Sequence, residues 1–286
     1  MTVPGLVVVD KPAGITSHDV VARVRRLAGT RKVGHAGTLD PMATGVLVLG
    51  VDRATRLLGH LMLTEKQYDA TIRLGVTTTT DDAEGEVVDT AGPAALDAVG
   101  PEQVRAALAA YVGEIEQVPT AVSAIKIDGK RAYQRVRDGE EVVIPARRVT
   151  VHDLAVHEVS GSEVRVSVRC SSGTYIRAIA RDVGRDLGVG GHLTSLRRTA
   201  VGVFDLGSAR TLEQLADDFA VVPIAAAARA TFPAVDLDET AAADVRVGRR
   251  LARPLDALSA VFAPDGAFLA LYEPADDGSR PVAVFV

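Results

Sequence analysis

One segment of the chain alternates between apolar and polar side chains, and this pattern constrains the fold more than any other feature. Its apolar positions are Tyr68, Ala70, Ile72, Leu74 and Val76. A period of two predicts a strand with one buried and one exposed face. Residues 148–159 and 163–170 alternate in the same way around residues 160–161, which predicts a hairpin. The chain must therefore build a sheet.

Helical spacing occurs between the predicted strands. A helix is predicted after Thr16 or Ser17, either of which can act as its cap, and Gly29 ends it. Other helices are predicted from Pro101 onward and over residues 175–187. Because strands and helices mix without a strict strand–helix–strand rhythm, we expect an α+β domain on a mixed sheet. Further strands are predicted over residues 5–10, 46–49 and 121–127, and a short helix over residues 131–137.

The length of 286 residues allows one large domain or a medium domain with a small partner. From about residue 222 the composition becomes alanine-rich and acidic, and the remaining segment is too short for a large core. We therefore expect a main domain over residues 1–221 and a small β domain over residues 222–286.

Several classes of protein are disfavoured by simple features. The longest apolar stretches, residues 45–51 and 57–63, fall short of the roughly 20 residues that a membrane span requires. The amino terminus lacks a basic start and a small-residue cleavage site, so we expect a cytoplasmic protein. Cys170 is the single cysteine, and the six histidines follow no familiar zinc spacing, so no disulfide and no metal are expected.

The net charge of -5 hides an uneven distribution. Lys and Arg outnumber Asp and Glu by eight to four in residues 1–60, seven to four in 126–150, and eight to three in 165–210. The acidic excess lies in residues 61–125 and 211–286. Basic blocks that converge in the fold would form a cationic face for a phosphate backbone. Scattered, solvated charge is the alternative.

A glycine-rich loop, residues 34–45, carries His35 and one carboxylate, Asp40. Its glycines allow a bulky substrate to approach the backbone. Pro41 restricts Asp40 to extended conformations, which helps to fix the direction of the carboxylate. An ordinary turn with aspartate before proline is the alternative.

Residues 170–181 form a strand end followed by a helix start, a place where free backbone amides suit anions. Arg177 and Arg181 lie one helical turn apart on the same side, although ordinary surface arginines would show the same spacing. Residues 191–198 then combine an apolar strand with the basic pair Arg197 and Arg198. P-loop, dinucleotide-binding and serine-elbow motifs do not occur. The available reactive groups are a carboxylate, arginines and tyrosines.

Taken in order, these segments resemble the bacterial tRNA pseudouridine-55 synthase family. A collinear series of motifs over residues 5–205 argues against coincidence. The residues that carry the resemblance are 10–17, 34–45, 66–68, 73–75, 123–126, 129–133, 172–177 and 192–198.

The resemblance implies a pseudouridine synthase fold, in which helices flank a mixed, mainly antiparallel sheet. It also implies a small C-terminal domain of the RNA-binding PUA type, which residues 244–251 and 266–272 match only weakly. The implied enzyme is a monomer that binds the T arm of tRNA, uses no guide RNA, and isomerises the uridine at position 55 to pseudouridine.

The reaction breaks the C1'–N1 bond, turns the uracil and joins C1' to C5 without net redox change, so one carboxylate can serve without a cofactor. The resemblance makes Asp40 that catalytic residue and leaves open whether it attacks C1', adds to C6 or removes a ribose proton. Arg177 would pair with Asp40 and lower its pKa. The flipped base would stack on Tyr68, Tyr175 and Leu196 would line the uracil pocket, and His35 would fill the vacated space in the RNA.

Three other functions compete with this one. A non-catalytic RNA-binding or RNA-folding protein could have the same fold. A relative guided by RNA within a larger particle is the second, and a small-molecule enzyme of another class is the third. A small-molecule enzyme would not explain the basic blocks or the series of motifs, which would then be coincidental.

Overall fold

The computed structural model describes residues 3–121, 126–127, 130–131 and 144–286. The helix predicted over residues 131–137 lies largely outside the described residues, as do most of the motif residues between 123 and 133. In the part that is described, no helix is long and apolar enough to span a membrane.

The described strands are β1 (Gly5–Lys11), β2 (Val33–His35), β3 (Thr44–Val51), β4 (Lys66–Leu74), β5 (Val76–Thr78), β6 (Val87–Thr90), β7 (Gly113–Gln117), β8 (Lys126–Ile127), β9 (Lys130–Arg131), β10 (Arg147–Ser160), β11 (Glu163–Cys170), β12 (Gly191–Val201), β13 (Phe204–Asp205), β14 (Val222–Pro223), β15 (Ala234–Asp236), β16 (Ser259–Phe262), β17 (Phe268–Ala275) and β18 (Gly278–Val284). The described α-helices are α1 (Ser17–Ala28), α2 (Leu58–Leu61), α3 (Pro93–Asp97), α4 (Pro101–Ala109), α5 (Ile176–Asp186), α6 (Leu212–Asp217), α7 (Ile224–Thr231) and α8 (Glu239–Arg246). A 3-10 helix, Asp52–Leu57, precedes α2.

The large sheet has the strand order β14-β1-β3-β12-β4-β11-β10-β7, with β2 added beside β3 and β13 beside β12. β3 and β12 are parallel, and the other neighbours along this order are antiparallel. The expected mixed, mainly antiparallel sheet is therefore confirmed. β4 lies near its centre, between β12 and β11.

The two faces of the large sheet bury different partners. On one face, the apolar positions of β4 pack with residues of α1, α4 and α5 in the main core. On the other face, apolar residues of β1 and β3 pack against α7 and three phenylalanines, Phe262, Phe268 and Phe285. Each fully buried side chain of this kind contributes roughly 1.5–3 kcal/mol. Helices thus cover one face, and the C-terminal part of the chain covers the end of the other.

Helix α1 begins and ends where its sequence predicts. The Thr16 hydroxyl accepts a hydrogen bond from the Asp19 amide, and the Asp19 carboxylate accepts one from the Thr16 amide. Gly29 follows the helix in the left-handed conformation, at φ 63°. Asp19 completes a capping box, so Thr16 rather than Ser17 is the cap. Ser17 is free to hold the loop that contains Asp40.

One predicted strand is shorter than its alternating pattern. The pattern runs to Val76, but β4 ends at Leu74 because Gly75 adopts φ 89°, a conformation outside the β region. The chain then turns into a separate hairpin of β5 and β6. This break directs residues 77–86 toward α5, where Asp81 and Thr80 meet arginines of that helix.

The C-terminal segment forms its own sheet, in the order β15-β16-β17-β18, with α8 packed against it in a separate small core. The expected small β unit is therefore present. Val222 and Pro223 still pair with β1 of the large sheet, and the small sheet begins at Ala234. We keep the division into residues 1–221 and 222–286 as a proposal.

Candidate active site

A cavity of about 260 Å³ opens between the loop that precedes β3, strands β4 and β12, and the segment that leads into α5. It brings together five residues that the sequence selected from distant segments: Asp40, Tyr68, Tyr175, Arg177 and Leu196. A convergence of a carboxylate, an arginine and aromatic side chains in one concave site is typical of an active site.

The loop that carries Asp40 is anchored to α1. The hydroxyl of Ser17, a buried side chain, donates to the Leu39 carbonyl at 2.9 Å and accepts from the Leu39 amide at 2.8 Å. The Pro41 carbonyl accepts from the Gly14 amide at 2.9 Å. These bonds hold the residues on both sides of Asp40, whose own side chain is 35% exposed.

Two buried cations complete the support of this loop. Arg198 donates to the carbonyls of Gly37, Thr38 and Val46 at 3.2, 3.3 and 2.7 Å. Lys11 donates to the Pro41 carbonyl at 3.2 Å and to two carbonyls of its own turn. In the sequence, Arg198 was identified only as one half of a basic pair. Its position two residues after Leu196 on an alternating strand is the signal that places it on the same face.

Arg177 lies between two carboxylates. Its Nη2 is 2.9 Å from Oδ2 of Asp40, and its Nη1 is 3.3 Å from Oδ2 of Asp82 and 2.7 Å from the Thr80 carbonyl. Arg177 and Asp82 are both almost completely buried. The Arg177 guanidinium is itself held in place by Asp82, and it therefore orients the Asp40 carboxylate toward the cavity. The predicted Arg177–Asp40 pair is present in the structure.

Asp82 was not predicted from the sequence. It is one of five acidic residues between positions 81 and 89, and no spacing or motif separates it from the other four. Its carboxylate accepts hydrogen bonds from the Thr80 hydroxyl at 2.5 Å and the Glu84 amide at 3.0 Å. These hydrogen bonds and the ion pair with Arg177 offset the free-energy cost of burying the negative charge of Asp82.

The effect of Arg177 on the Asp40 pKa has the expected sign but does not set the net shift. Burial of the carboxylate is the larger effect and raises the pKa of Asp40 above its ordinary value. Arg177 opposes this effect, whereas the negative charge of Asp82 adds to it. Burial also lowers the pKa of Lys11 to about 8, despite the opposing charge of Asp40. The site therefore holds its charged groups at a desolvation cost.

Tyr68 and Leu196 lie on neighbouring strands, β4 and β12, and form an apolar wall of the cavity. Tyr68 is largely buried, and burial raises the pKa of its hydroxyl, so the ring stays neutral at physiological pH. Tyr175 lies opposite as the residue before α5. An aromatic and aliphatic slot beside one carboxylate is suited to a flat polar ring.

His35 is separate from the other predicted residues. It ends β2 and is not among the described residues that line the cavity. Its ring meets that of His18 edge to face at 5.6 Å. Its predicted contact with RNA stays a prediction. Arg181, the other predicted anion-binding arginine, is bonded to Asp81, Asp182 and the Val118 carbonyl.

Three further residues were missed as parts of the site. Lys66 and Arg147 line the cavity, and Gln117 bonds the backbone of Tyr175 from behind. Lys66 donates to the carbonyls of Met62 and Thr64, and burial lowers its pKa to about 8. Lys66 lies two residues before Tyr68 on an alternating strand, and this spacing is the signal that places its side chain on the same buried face. Among the described residues, no cluster of histidine, cysteine or carboxylate side chains could hold a metal ion.

The fold is that of a pseudouridine synthase. The structure is similar over 99% of this chain to a Cbf5-Nop10-Gar1 complex, with 27% identity, a TM-score of 0.76 and 85% of that chain covered. It is also similar to an H/ACA RNP bound to a substrate RNA containing 2'-deoxyuridine, with 25% identity and a TM-score of 0.75 over 99% of this chain and 85% of the other.

The chain belongs to the TruB family of pseudouridylate synthases. The N-terminal domain model of that family matches residues 25–176. Two C-terminal models follow, of tRNA pseudouridylate synthase B over residues 177–230 and of tRNA pseudouridine synthase II over residues 232–286.

Full-length relatives agree with the family models. The tRNA pseudouridine synthase B of Arthrobacter sp. (strain FB24) is 57% identical, with 98% of this chain and 96% of the relative covered. That of Streptomyces griseus is 56% identical, with 99% and 98% covered. This chain and these relatives therefore correspond along nearly their whole length.

Proposed function

We propose that this protein is a tRNA pseudouridine synthase that isomerises the uridine at position 55, in the T loop, with Asp40 as its catalytic residue. The observation that carries the proposal is the 2.9 Å pair of Arg177 and Asp40 inside a cavity walled by Tyr68, Tyr175 and Leu196. The relatives, tRNA pseudouridine synthases B, support tRNA as the substrate.

The target uridine is stacked within a folded loop, so it must leave the stack to reach Asp40. In this proposal the flipped ring stacks on the wall formed by Tyr68 and Leu196, and its edge faces the segment that leads into α5. Tyr68 provides a π face for stacking, which contributes roughly 1–3 kcal/mol per base. That gain offsets part of the cost of unstacking the nucleotide.

The isomerisation balances within the nucleotide. The C1'–N1 bond breaks, the uracil turns, C1' joins C5, the proton on C5 leaves, and N1 gains a proton. Asp40 can act by attack at C1', by addition at C6 or by removal of a ribose proton, and in each case the carboxylate must be ionised. Arg177 orients the carboxylate oxygens of Asp40 and opposes the effect of burial on the Asp40 pKa.

Lysine and arginine side chains gather at the cavity, which supports an RNA partner. Lys66, Arg147, Arg177 and Arg198 line it, and Asp40 is the one acidic side chain among the described lining residues. Contacts to phosphates make binding salt dependent. The affinity for a T-arm RNA should therefore fall as the KCl concentration rises, and a flat response would exclude an interface based on phosphate contacts.

We further propose a cytoplasmic monomer that acts without a guide RNA or cofactor. The guided alternative is favoured by similarity to the Cbf5 complex, but the higher identity to the tRNA pseudouridine synthases supports direct recognition of tRNA. A non-catalytic tRNA-binding protein is disfavoured because Asp40, Tyr68 and Arg177 are together in one cavity.

The test uses the purified chain, an unmodified T-arm transcript and pseudouridine mapping. We expect the wild type to modify position 55 without an added guide RNA. Asp40→Asn should give no modification but should still bind the RNA. Binding without modification by the wild type would support the non-catalytic alternative. Modification only after a guide RNA is added would support the guided one.

A further inference from the structure

Most cationic groups of the cavity are already bonded to the protein. Arg177 pairs with Asp40 and Asp82, and Arg198 donates to three backbone carbonyls. Lys66 donates to two carbonyls. These side chains position the protein's own groups, which leaves few of their donors for a ligand.

Arg147 is different. A guanidinium has five N–H donors, and within the described residues Arg147 bonds one acceptor, the Gly173 carbonyl. Its Nε is buried and has no hydrogen-bond partner among the residues that the structure describes. No carboxylate of the described residues forms an ion pair with it, although Arg148, the next residue, pairs with Glu116. A half-buried cation with unused donors on the wall of a cavity points to an anionic ligand.

The guanidinium is also held in place. It stacks over the ring of Tyr175, with its central carbon 4.9 Å from the ring centroid. Tyr175 in turn is fixed by two backbone hydrogen bonds with the Gln117 side chain, which donates one and accepts the other. A planar guanidinium that is immobilised by stacking loses little freedom when it binds a ligand through two parallel N–H bonds. The natural ligand for that geometry is a phosphate or a carboxylate.

We propose that Arg147 forms a subsite for one backbone phosphate of the RNA, next to the flipped uridine. This inference rests on the proposed function, because RNA supplies a phosphate within one nucleotide of the base that enters the cavity. The base stacks at Tyr68 on one wall, and the phosphate binds at Arg147 on the wall formed with Tyr175. The subsite fixes the strand that carries the target, so the loss of Arg147 affects binding more than chemistry.

The experiment compares Arg147→Gln with Arg148→Gln in the full-length protein. Both variants remove one positive charge from the start of β10, but the Arg148 side chain is 83% exposed and does not line the cavity. The affinity for the T-arm transcript is measured over a range of KCl concentrations. We expect Arg147→Gln to weaken binding roughly tenfold and to lower the slope of log K against log salt by about 1. Arg148→Gln should keep the wild-type slope.

Two additional measurements separate charge from packing. Arg147→Lys keeps the charge and should keep a slope near that of the wild type, although the loss of the planar guanidinium weakens binding. A slope as low as that of Arg147→Gln would mean that stacking on Tyr175, and not the charge, is what matters, and would overturn the proposal. Turnover measured from low to saturating RNA concentrations should show that the Arg147→Gln defect lies in KM more than in kcat. A defect in kcat alone would make Arg147 a support for Tyr175 and not a phosphate ligand.

The outcomes also distinguish this inference from the proposed function. If the wild type neither binds nor modifies the transcript, the proposed function fails. If the wild type modifies it and Arg147→Gln has the same affinity and slope as the wild type, only the phosphate subsite fails. Equal losses in the Arg147 and Arg148 variants would indicate a general effect of charge and would overturn the subsite as well.

Discussion

Gln117 uses both ends of its side-chain amide to hold the backbone of Tyr175. Its Nε2 donates to the Tyr175 carbonyl at 3.0 Å, and its Oε1 accepts from the Tyr175 amide at 2.8 Å. The side chain thus replaces a neighbouring strand and keeps Tyr175 extended, at φ -104° and ψ 109°, directly before α5. Through these bonds, the end of β7 sets the position of a ring in the candidate active site.

Replacing Gln117 with methionine should remove both bonds while preserving the length of the side chain. Because Gln117 is 2% exposed, the backbone groups of Tyr175 would lose their partners in a buried place. We expect about 1–3 kcal/mol less unfolding free energy, and a fall in kcat/KM. Urea unfolding and single-turnover assays measure the two effects.

Gln103 is the control for this change, since its side chain also accepts from a backbone amide, that of Gly100, but at an exposed helix start. Gln103→Met should leave kcat/KM unchanged. A Gln117 variant that lost stability but kept wild-type kcat/KM would show that Tyr175 does not depend on this clamp for its function.

Arg177→Leu should reduce turnover far more than RNA affinity. The change removes the group that aims Asp40 and leaves Asp40 and Asp82 without the cation between them. We expect kcat to fall by at least about 100-fold, because the carboxylate becomes both misdirected and harder to ionise. Rapid-quench assays and binding titrations separate the two parameters.

Arg181→Leu is the matched control, one turn further along α5, with its guanidinium bonded to Asp81 and Asp182 outside the cavity. It should keep kcat within a few fold of the wild type. Since loss of a buried ion pair can unfold a protein, Arg177→Lys serves as a second variant that retains the charge. Equal losses of kcat and affinity in both Arg177 variants would contradict the assigned role.

Asp82→Asn should shift the acid limb of the pH–rate profile to lower pH. Asp40 acts when ionised, so activity is lost as the pH falls through its pKa. Burial and the charge of Asp82 both raise this pKa above its ordinary value. Removing the charge at position 82 removes one of these effects, and the Asp40 pKa falls. The profile of kcat against pH measures the shift.

Asp81→Asn provides the comparison, because Asp81 pairs with Arg181 and its charge is not among the main influences on the Asp40 pKa. Asn also tolerates the positive φ of 60° at that position. We expect no movement of the acid limb in this variant. A limb that stays in place or moves to higher pH in Asp82→Asn would contradict the coupling.

Lys66 should make stability depend on pH in the alkaline range. Burial lowers its pKa in the folded protein to about 8, below the unfolded value of about 10.4. Below the folded pKa the lysine is protonated in both states, and the folded state carries the cost of burying the charge. As the pH rises from about 8 to about 10.4, that cost disappears, so stability rises.

The measurement compares unfolding free energies of wild type and Lys66→Met at pH 7 and pH 10. Relative to the variant, the wild type should gain about 1–3 kcal/mol between the two values, a range that allows for water reaching the ammonium group. Lys11, whose pKa is also about 8, is common to both proteins and cancels in the difference. A difference that stays constant with pH would show that Lys66 is not desolvated.

Local patterns were sufficient for most elements. The alternation in β4 and in the β10–β11 hairpin, the Thr16 cap and the Gly29 stop were all read correctly, because each depends on residues close in sequence. The motif around Asp40 and the one around Arg177 both contribute residues to one cavity. Those motifs identify members of a site without specifying what surrounds them.

Only the tertiary structure decided the hydrogen-bond partners and pKa shifts that depend on residues distant in sequence. In the sequence, Asp82 is one of several acidic residues between positions 81 and 89. It becomes distinct in the fold, because the turn at Gly75 directs this loop toward Arg177. Gln117 reaches Tyr175 across 58 positions. The direction of the Asp40 pKa shift reflects burial, which no local pattern encodes. The sequence by itself thus determined which groups we propose for the chemistry, and packing determined their charge states, since desolvation depends on all the atoms around a group.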